Sequence, residues 1–232
     1  MRLLELFSGT HSVGKVARAR GYVVVSLDMN LPADIKANIL DWDYKIYQPG
    51  YFDVITASPV CLWWSALRTT HFGKQLKAHP EGVFTRQMYE NDINIFGKPM
   101  VDRVLEIIEY FNPRYYWIEN PQTGLMKDYI NLSFYDVDYC RYAQWGYRKR
   151  TRFWTNIKTF SPKLCEKKCG QMIGNRHVKQ LGSCKKGERV LGKGTTKYER
   201  YRIPPKLIED LLDHCYRELP VDLLDAIKNL NL

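Results

Sequence analysis

Short runs of β-branched and aromatic residues alternate with helix-forming segments along the chain, and this alternation restricts the fold more than any other feature. Strands are predicted at 3–7, 22–27, 37–42, 51–56 and 114–118, with later strands at 134–140 and 151–155. Strands that are joined by crossover helices form a mostly parallel sheet. The sequence therefore predicts an α/β, Rossmann-like fold in which a mixed sheet is flanked by helices.

The connections between these strands differ in character. A glycine-bearing turn at 8–14 leads from the first strand into a helix at 15–20, a layout in which backbone N–H groups can receive a nucleotide-like ligand. The polar segment 65–97 is predicted to be a long mobile loop with irregular helical pieces, able to close over a site. Pro99 is predicted to begin a helix, Pro204 and Pro205 a later one, and a short helix is expected at 223–230.

Two of the predicted strands end in residues that can carry chemistry. Cys61 lies in the loop after the strand at 51–56, and Glu119 follows the strand at 114–118. The carboxyl ends of parallel strands meet at one edge of a sheet, where α/β proteins bind their ligands. A single free cysteine is more often a packing residue. A carboxylate expected in the same crevice is what favours a catalytic Cys61.

The positive charge is concentrated in one part of the chain. The whole sequence has a formal net charge of +10, but 141–206 contains 19 Lys and Arg against three acids, a local balance of +16, and the remainder carries −6. This asymmetry indicates a polyanion bound along one face, and nucleic acid is the preferred partner over a merely solvated basic surface.

The six cysteines are spread through an ordinary-sized domain, which indicates reduced thiols or a metal site in an intracellular protein. Cys165, Cys169, His177 and Cys184 fall within twenty residues of a Lys- and Gly-rich stretch. A structural zinc ion there would supply a missing core, and unlinked cysteines in a basic loop are the alternative. We expect no signal peptide and no membrane span, and hence a cytoplasmic or nuclear location.

The order of short motifs resembles the cytosine-C5 DNA methyltransferases, and most closely their compact viral and phage members. Leu6-Phe7-Ser8-Gly9-Thr10 looks like the opening F-x-G loop, and Ser58-Pro59-Val60-Cys61 looks like the P-P-C loop. Glu119-Asn120-Pro121 is similar to E-N-V, and the run 148–152 is similar to Q-x-R-x-R. The run 201–205 looks like a degenerate last motif. The resemblance extends from Leu3 to about Leu212.

This resemblance implies an S-adenosylmethionine-dependent methyltransferase that acts on DNA. The Cys61 thiolate would attack C6 of a flipped-out cytosine, Glu119 would donate a proton to N3, and Arg152 with Arg150 behind it would hold the base. Asp28 and Asp41 would hold the ribose and adenine of the cofactor. The full set of implied cofactor-binding residues is Phe7, Gly9, Thr10, His11, Asp28, Met29, Asp41, Trp42 and Pro59.

The chain also departs from the family pattern. His11 replaces a usual glycine, Val60 a proline, Arg148 a glutamine and Tyr201 an asparagine, and the segment between the last two motifs is short. We expect a catalytic core at 1–156, a short basic target-recognition insertion at 157–198, and C-terminal helices at 199–232. The alternatives are a transfer-RNA cytosine-5 methyltransferase, an inactive DNA-binding module and a Rossmann-like oxidoreductase. The absent dinucleotide glycine pattern disfavours the last of these.

Overall fold

A six-stranded sheet forms the centre of the molecule. The computed structural model describes residues 1–182 and 194–217. The strands of the central sheet are β1 (Arg2–Leu6), β2 (Val23–Leu27), β3 (Val54–Ala57), β6 (Tyr115–Pro121), β7 (Phe134–Asp138) and β8 (Arg150–Thr155). Two short hairpins lie outside it, formed by β4 (Gln75–Leu76) with β5 (His79–Val83) and by β9 (Met172–Ile173) with β10 (Arg176–His177).

The central sheet is mixed. Its strand order is β2-β1-β3-β6-β8-β7, in which β1, β2, β3 and β6 run parallel and β8 pairs antiparallel with both β6 and β7. The carboxyl ends of β1, β3 and β6 therefore share one edge. The predicted α/β fold class, a mixed sheet flanked by helices, is confirmed.

Helices cover both faces of this sheet. They are α1 (Ser12–Ala19), α2 (Arg86–Asp92), α3 (Lys98–Phe111), α4 (Lys197–Tyr201) and α5 (Pro205–Arg217). Val104 and Ile107 of α3 pack with Ile55 on one face, whereas Leu207 and Leu211 of α5 lie in the cluster on the other. A fully buried Leu, Ile or Val contributes about 1.5–3 kcal/mol, so the two apolar faces fix the positions of the strand ends.

The strand predicted at 37–42 is absent from the structure, and that prediction is wrong. A turn centred on Asn38 occupies this segment: the Asn38 carbonyl accepts from the backbone N–H groups of Asp41 (3.0 Å) and Trp42 (3.1 Å), and its side chain accepts from Leu40 N (3.2 Å). Asparagine offers the backbone local partners in place of a strand ladder. Only Ile35, just upstream, bridges to Leu27.

The segment 65–97, predicted to be an irregular loop, is instead built from regular elements. A 3-10 helix (Ala66–His71) and the β4–β5 hairpin precede α2, and a π-helical stretch (Ile93–Gly97) joins α2 to α3. The joined helical segment from α2 to α3 therefore begins at Arg86, where Thr85 caps it, and not at the predicted Pro99. Buried charge orders the segment, because Asp92 pairs with both Arg68 and His79.

The C-terminal helix closes one face of the sheet against α1. Arg20, which directly follows α1, pairs with Asp213 of α5, and its guanidinium also donates to the Glu209 carbonyl oxygen at 3.0 Å. The predicted start of this helix near Pro205 agrees with the structure, while the helix expected at 223–230 lies outside the described residues. Among the described residues, no helix combines the length and apolarity that a bilayer crossing requires.

Candidate active site and cysteine–histidine cluster

The loop between β1 and α1 is tightly wound, as its motif predicts. Phe7 (φ 56°), Gly9 (φ 52°) and His11 (φ 54°) all adopt left-handed conformations. The His11 side chain fixes the loop from the far side, with Nε2 2.6 Å from the Pro32 carbonyl oxygen, and Thr10 Oγ1 lies 2.7 Å from Ser12 Oγ. A left-handed residue is strained unless it is glycine. This explains why the family pattern has glycine at the position that His11 occupies in this chain.

Asp28 closes the same loop from the end of β2. Its carboxylate accepts from Gly9 N at 2.9 Å, and from Asn30 N and Leu31 N at 2.8 Å each. The structure therefore brings together Asp28 and Gly9, which are both among the predicted cofactor-binding residues. Met29 next to it is 54% exposed.

Asp41 and Trp42, which were also predicted to bind the cofactor, lie in two different environments. Asp41 is exposed. The Trp42 ring is buried in the apolar cluster that packs α3 against the sheet, and its centroid lies 6.2 Å from that of the Tyr44 ring and 6.4 Å from that of the Tyr47 ring. The Trp42 ring is thus mostly a packing group here.

Glu5 is a site residue that the motif comparison did not single out. It lies on β1 beneath the start of α1, is 3% exposed, and accepts from Val13 N at 3.0 Å. Burial raises the pKa of the Glu5 carboxyl, while the backbone N–H of Gly14 and the nearby His11 lower it. The signal that could have revealed it is the one acid in the apolar run Leu3-Leu4-Glu5-Leu6.

The loop that carries Cys61 is anchored to the neighbouring strand. Asn120 Nδ2 of β6 donates to the carbonyl oxygen of the buried Pro59 at 2.8 Å, and Leu125 N donates to Trp64 O at 2.8 Å. Trp64 is buried, whereas the half-buried Trp63 stacks on Phe96 with ring centroids 4.6 Å apart. Cys61 is thereby held beside the end of β6.

The electrostatic surroundings of Cys61 come from two strand ends. Burial raises the pKa of the Cys61 thiol, the Lys149 cation opposes that rise, and the Glu119 carboxylate adds to it. Of the cations near the thiol, Lys149 has the largest influence and Arg200 a smaller one. The structure therefore brings Cys61, Glu119 and Lys149 into one site.

Glu119 is held by two donors on one of its oxygens. Its Oε1 accepts from Lys149 Nζ at 3.1 Å and from the Tyr139 hydroxyl at 3.0 Å. Lys149 Nζ also donates to the Arg200 carbonyl oxygen at 3.1 Å. All three side chains are buried, so the carboxylate has a fixed position.

Arg150 and Arg152 lie on the other face of β8. Arg152 pairs across the sheet with Asn120 and Asp136, and its guanidinium makes two bonds to Asp136, at 2.8 and 2.9 Å. Arg150 Nε lies 3.5 Å from Asp138. Successive residues of a strand point to opposite faces, so the structure does not bring these two arginines to Glu119; Lys149 is the cation that reaches it.

A second cluster of reactive side chains lies beyond the end of β7. The Sγ atoms of Cys140, Cys165 and Cys169 and a ring nitrogen of His177 all lie within 4.8 Å of one another. Three of the four predicted metal ligands are thus brought together, and Cys140 completes the group. The fourth predicted ligand, Cys184, lies outside the described residues.

One curated relative covers nearly the whole chain. It is "Probable DNA (cytosine-5)-methyltransferase" of Frog virus 3 (isolate Goorha), 43% identical over 226 residues, which span 93% of this chain and 100% of the relative. The chain belongs to the DNA (cytosine-5)-methyltransferase family. The predicted family is therefore confirmed. No family model matches the chain.

Solved methyltransferase structures share less sequence with this member of the DNA (cytosine-5)-methyltransferase family. The Entamoeba histolytica methyltransferase EhMeth is 13% identical, with a TM-score of 0.46, over 70% of this chain and 55% of its own. The S. pombe Dnmt2 methyltransferase is 15% identical, with a TM-score of 0.38, over 67% and 48%. The chain thus spans about half the length of these two proteins.

The departures from the family motifs have visible structural settings. Val60, in place of proline, is 42% exposed at the tip of the Cys61 loop. Arg148, in place of glutamine, donates from Nε to Asp138 at 2.8 Å, and Tyr201 is 48% exposed at the end of α4.

Proposed function

We propose that this chain transfers a methyl group from S-adenosylmethionine to C5 of cytosine in DNA. The observation that carries the proposal is the position of Cys61 and Glu119 at the ends of the adjacent parallel strands β3 and β6. The hydrogen bond from Asn120 to the Pro59 carbonyl fixes the two strand ends relative to each other. A nucleophile and a carboxylate held at one sheet edge match the covalent chemistry that an unreactive C5 requires.

In the proposed reaction, the Cys61 thiolate forms a bond to C6 of the base and electron density moves from the C5=C6 bond to C5. S-adenosylmethionine, when bound, would supply the electrophilic methyl group that C5 takes up, and its sulfonium sulfur would leave as the neutral thioether S-adenosylhomocysteine. Loss of the C5 proton to solvent or a nearby base then restores C5=C6 and expels the Cys61 thiolate. Glu119 Oε1 is engaged by Tyr139 and Lys149, so Oε2 is the oxygen that we propose to carry the proton. It would give this proton to N3 as the adduct forms and take it back when the Cys61 thiolate is expelled.

Lys149 is proposed as the cation that supports both groups. It bonds to the Glu119 carboxylate and opposes the rise in the pKa of the Cys61 thiol. A nearby positive charge stabilises a thiolate. In this proposal Lys149 is the cation beside the thiol and the carboxylate, whereas the resemblance had assigned Arg150 and Arg152 to holding the base.

The cofactor is proposed to bind at the β1–α1 turn, with Asp28 beside it. The loop residues Phe7, Gly9, Thr10 and His11 surround the turn, and the crevice lies at the carboxyl end of the parallel strands. This site suits a nucleoside ligand, because the Asp28 carboxylate lies at the end of β2, where an acid can bind ribose hydroxyls. A structural zinc ion at the cysteine–histidine cluster is the second proposed cofactor.

The proposed substrate is double-stranded DNA from which the target cytosine is flipped out. The local balance of +16 in 141–206 supports a polyanionic partner. We propose that 1–156 forms the catalytic core, that 157–198 contacts DNA, and that 199–232 completes the core, as the contact of α5 with α1 supports. Both reactants are found inside cells, so we propose an intracellular site of action.

The decisive experiment is transfer of labelled methyl groups from S-adenosylmethionine to DNA and, separately, to transfer RNA. We expect label in DNA as 5-methylcytosine with the wild-type protein and none with Cys61→Ala, while both proteins bind S-adenosylmethionine in calorimetry. Label in RNA alone would transfer the assignment to the RNA enzyme. Cofactor binding without transfer to either polymer would indicate the inactive DNA-binding module.

A further inference from the structure

The cysteine–histidine cluster draws its four members from two separate parts of the chain. Cys165, Cys169 and His177 belong to the basic segment, whereas Cys140 lies in the 3-10 helix (Tyr139–Arg141) that directly follows β7. The three sulfur atoms are at most partly accessible, because Cys140, Cys165 and Cys169 are all buried. The cluster therefore links the basic segment to the central sheet.

The distances within the cluster suit a tetrahedral ion. His177 Nε2 lies 3.3 Å from Cys169 Sγ and 3.4 Å from Cys165 Sγ. Zinc–sulfur and zinc–nitrogen bonds of about 2.3 and 2.0–2.1 Å place tetrahedral ligand atoms roughly 3.5–3.8 Å apart. Three thiols and one imidazole are also the donor set of structural zinc sites.

The backbone around the cluster is strained in a way that bound metal would offset. Glu166 (φ 45°) and Lys167 (φ 62°) are consecutive left-handed non-glycine residues, and the turn they form brings Cys165 and Cys169 together. Each such residue holds its backbone in a strained conformation. Among the described residues, Met172 is the partly buried apolar side chain that packs against the three cysteines, so hydrophobic burial does little to offset this strain.

We propose that Cys140, Cys165, Cys169 and His177 bind one Zn²⁺ ion and that, through Cys140, this ion positions the active-site carboxylate. Neighbouring groups hold the ligands from outside: Asp138 Oδ2 accepts from Cys165 N at 2.8 Å, and Gln171 Nε2 donates to Cys140 O at 2.7 Å. Such outer partners are typical of built metal sites.

The link to the active site is one residue long. Tyr139, which precedes Cys140, donates its hydroxyl to Glu119 Oε1 at 3.0 Å, and its backbone N–H donates to Lys149 O at 3.0 Å. Fixing Cys140 on the ion therefore fixes the residue that holds Glu119 and the strand position of Lys149. This positioning role rests on the function proposed above, whereas the metal site does not.

Metal content tests the site on the full-length protein. We expect one zinc per chain by mass spectrometry, and a cobalt-substituted protein with thiolate charge-transfer and tetrahedral d–d bands. Cys140→Ser should lose the ion and Cys184→Ser should keep it. If Cys140→Ser does not fold, alkylation of the wild type decides: the ion should protect Cys140, Cys165 and Cys169 but leave Cys184 reactive. Protection of Cys184 in place of Cys140, or no bound metal, would overturn the site.

Tyr139→Phe tests the positioning role, because it removes the hydroxyl and leaves every ligand in place. We expect kcat to fall roughly 10-fold in this variant, and roughly 10-fold in wild type after chelation, with KM for S-adenosylmethionine unchanged. Chelation of the Tyr139→Phe variant should lower its kcat little further, since both changes interrupt the same connection from the ion through Tyr139 to Glu119. Multiplicative losses would contradict the link. A zinc-loaded protein that transfers no methyl group would instead refute the proposed function while leaving the metal site intact.

Discussion

Lys149 Nζ lies 3.1 Å from Glu119 Oε1, and the two side chains are only 10% and 8% exposed. Removing one member of a buried ion pair leaves the other uncompensated, so this pair controls both the carboxylate and the neighbouring thiol. The relationship leads to the first prediction, which concerns the charge at position 149.

Lys149→Met should raise the pKa of the Cys61 thiol. The Lys149 cation lowers that pKa in the wild type, so its loss disfavours the thiolate and moves the alkylation profile of Cys61 to higher pH. One pKa unit corresponds to about 10-fold slower alkylation at a fixed pH below the pKa. Peptide mass spectrometry after timed iodoacetamide treatment measures the rate for Cys61 alone. Lys149→Arg should keep most of the wild-type alkylation rate of Cys61. Lys45→Met, which removes an exposed cation, should leave that rate unchanged.

Methyl transfer by the wild-type protein should rise with pH on the alkaline side of neutrality. Burial is the largest influence on the Cys61 thiol and raises its pKa above the ordinary value. The thiolate is the reactive form, so the fraction of active enzyme increases as the pH passes upward through that raised pKa. A single-turnover pH–rate profile tests this, with circular dichroism at each pH as the control for folding. A rate that is flat from pH 6 to 9 would contradict it.

Arg152→Met should leave the Cys61 alkylation profile unchanged. The Arg152 guanidinium is committed to Asp136 on the opposite face of β8, so its loss costs an ion pair at the sheet edge and not a contact with Glu119. The double variant Arg152→Met with Asp136→Leu separates the two effects, because it removes both charges and should recover part of any lost stability. A profile shifted as far as that of Lys149→Met would restore the arginine to the site.

The contrast between these cations shows where sequence reasoning reaches its limit. The run Arg148-Lys149-Arg150-Thr151-Arg152 offers two alternating sets of side chains, and motif matching selected the arginines. The pairing of Glu119 with Phe153 fixes which set faces the carboxylate. A shift of one residue moves every side chain of a strand to the other face, and no local pattern encodes that register.

Other features also separate into those that a local sequence pattern predicts and those that depend on contacts between distant residues. The strands that lead to Cys61 and Glu119 were predictable because buried parallel strands are short continuous apolar runs with β-branched residues. Cys140 was not predictable as a partner of Cys165, because the end of β7 and the basic segment approach each other only in space. The helix start at Arg86 was missed because its first turns are polar and its order depends on the buried Asp92.

Asn120→Ala should slow methyl transfer by loosening the Cys61 loop. The Asn120 side-chain N–H that reaches the Pro59 carbonyl is buried, and its loss leaves that carbonyl without this donor, at a cost of about 1–3 kcal/mol. We expect kcat to fall on the order of 10-fold or more, since small displacements of reacting groups are costly. Asn156→Ala is the matched control: Asn156 also donates to a backbone carbonyl, that of Arg114, but far along the strand from Cys61. Equal losses of kcat in the two variants would indicate a general effect on the sheet.

Gly14→Ala should destabilise the protein, although alanine ordinarily favours a helix by about 1 kcal/mol over glycine. A Cβ at position 14 would lie 2.5 Å from Glu5 Oε2, and Glu5 cannot move away freely because Val13 N holds its other oxygen beneath α1.

We expect a loss of about 1–3 kcal/mol in the free energy of unfolding, measured in urea. Affinity for S-adenosylmethionine should also weaken, because the β1–α1 turn must shift. Gly82→Ala in β5 is the control, since a Cβ there meets no atom within 4 Å. That variant should be neutral or slightly more stable. A stabilised Gly14→Ala would show that Glu5 is free to leave the helix start.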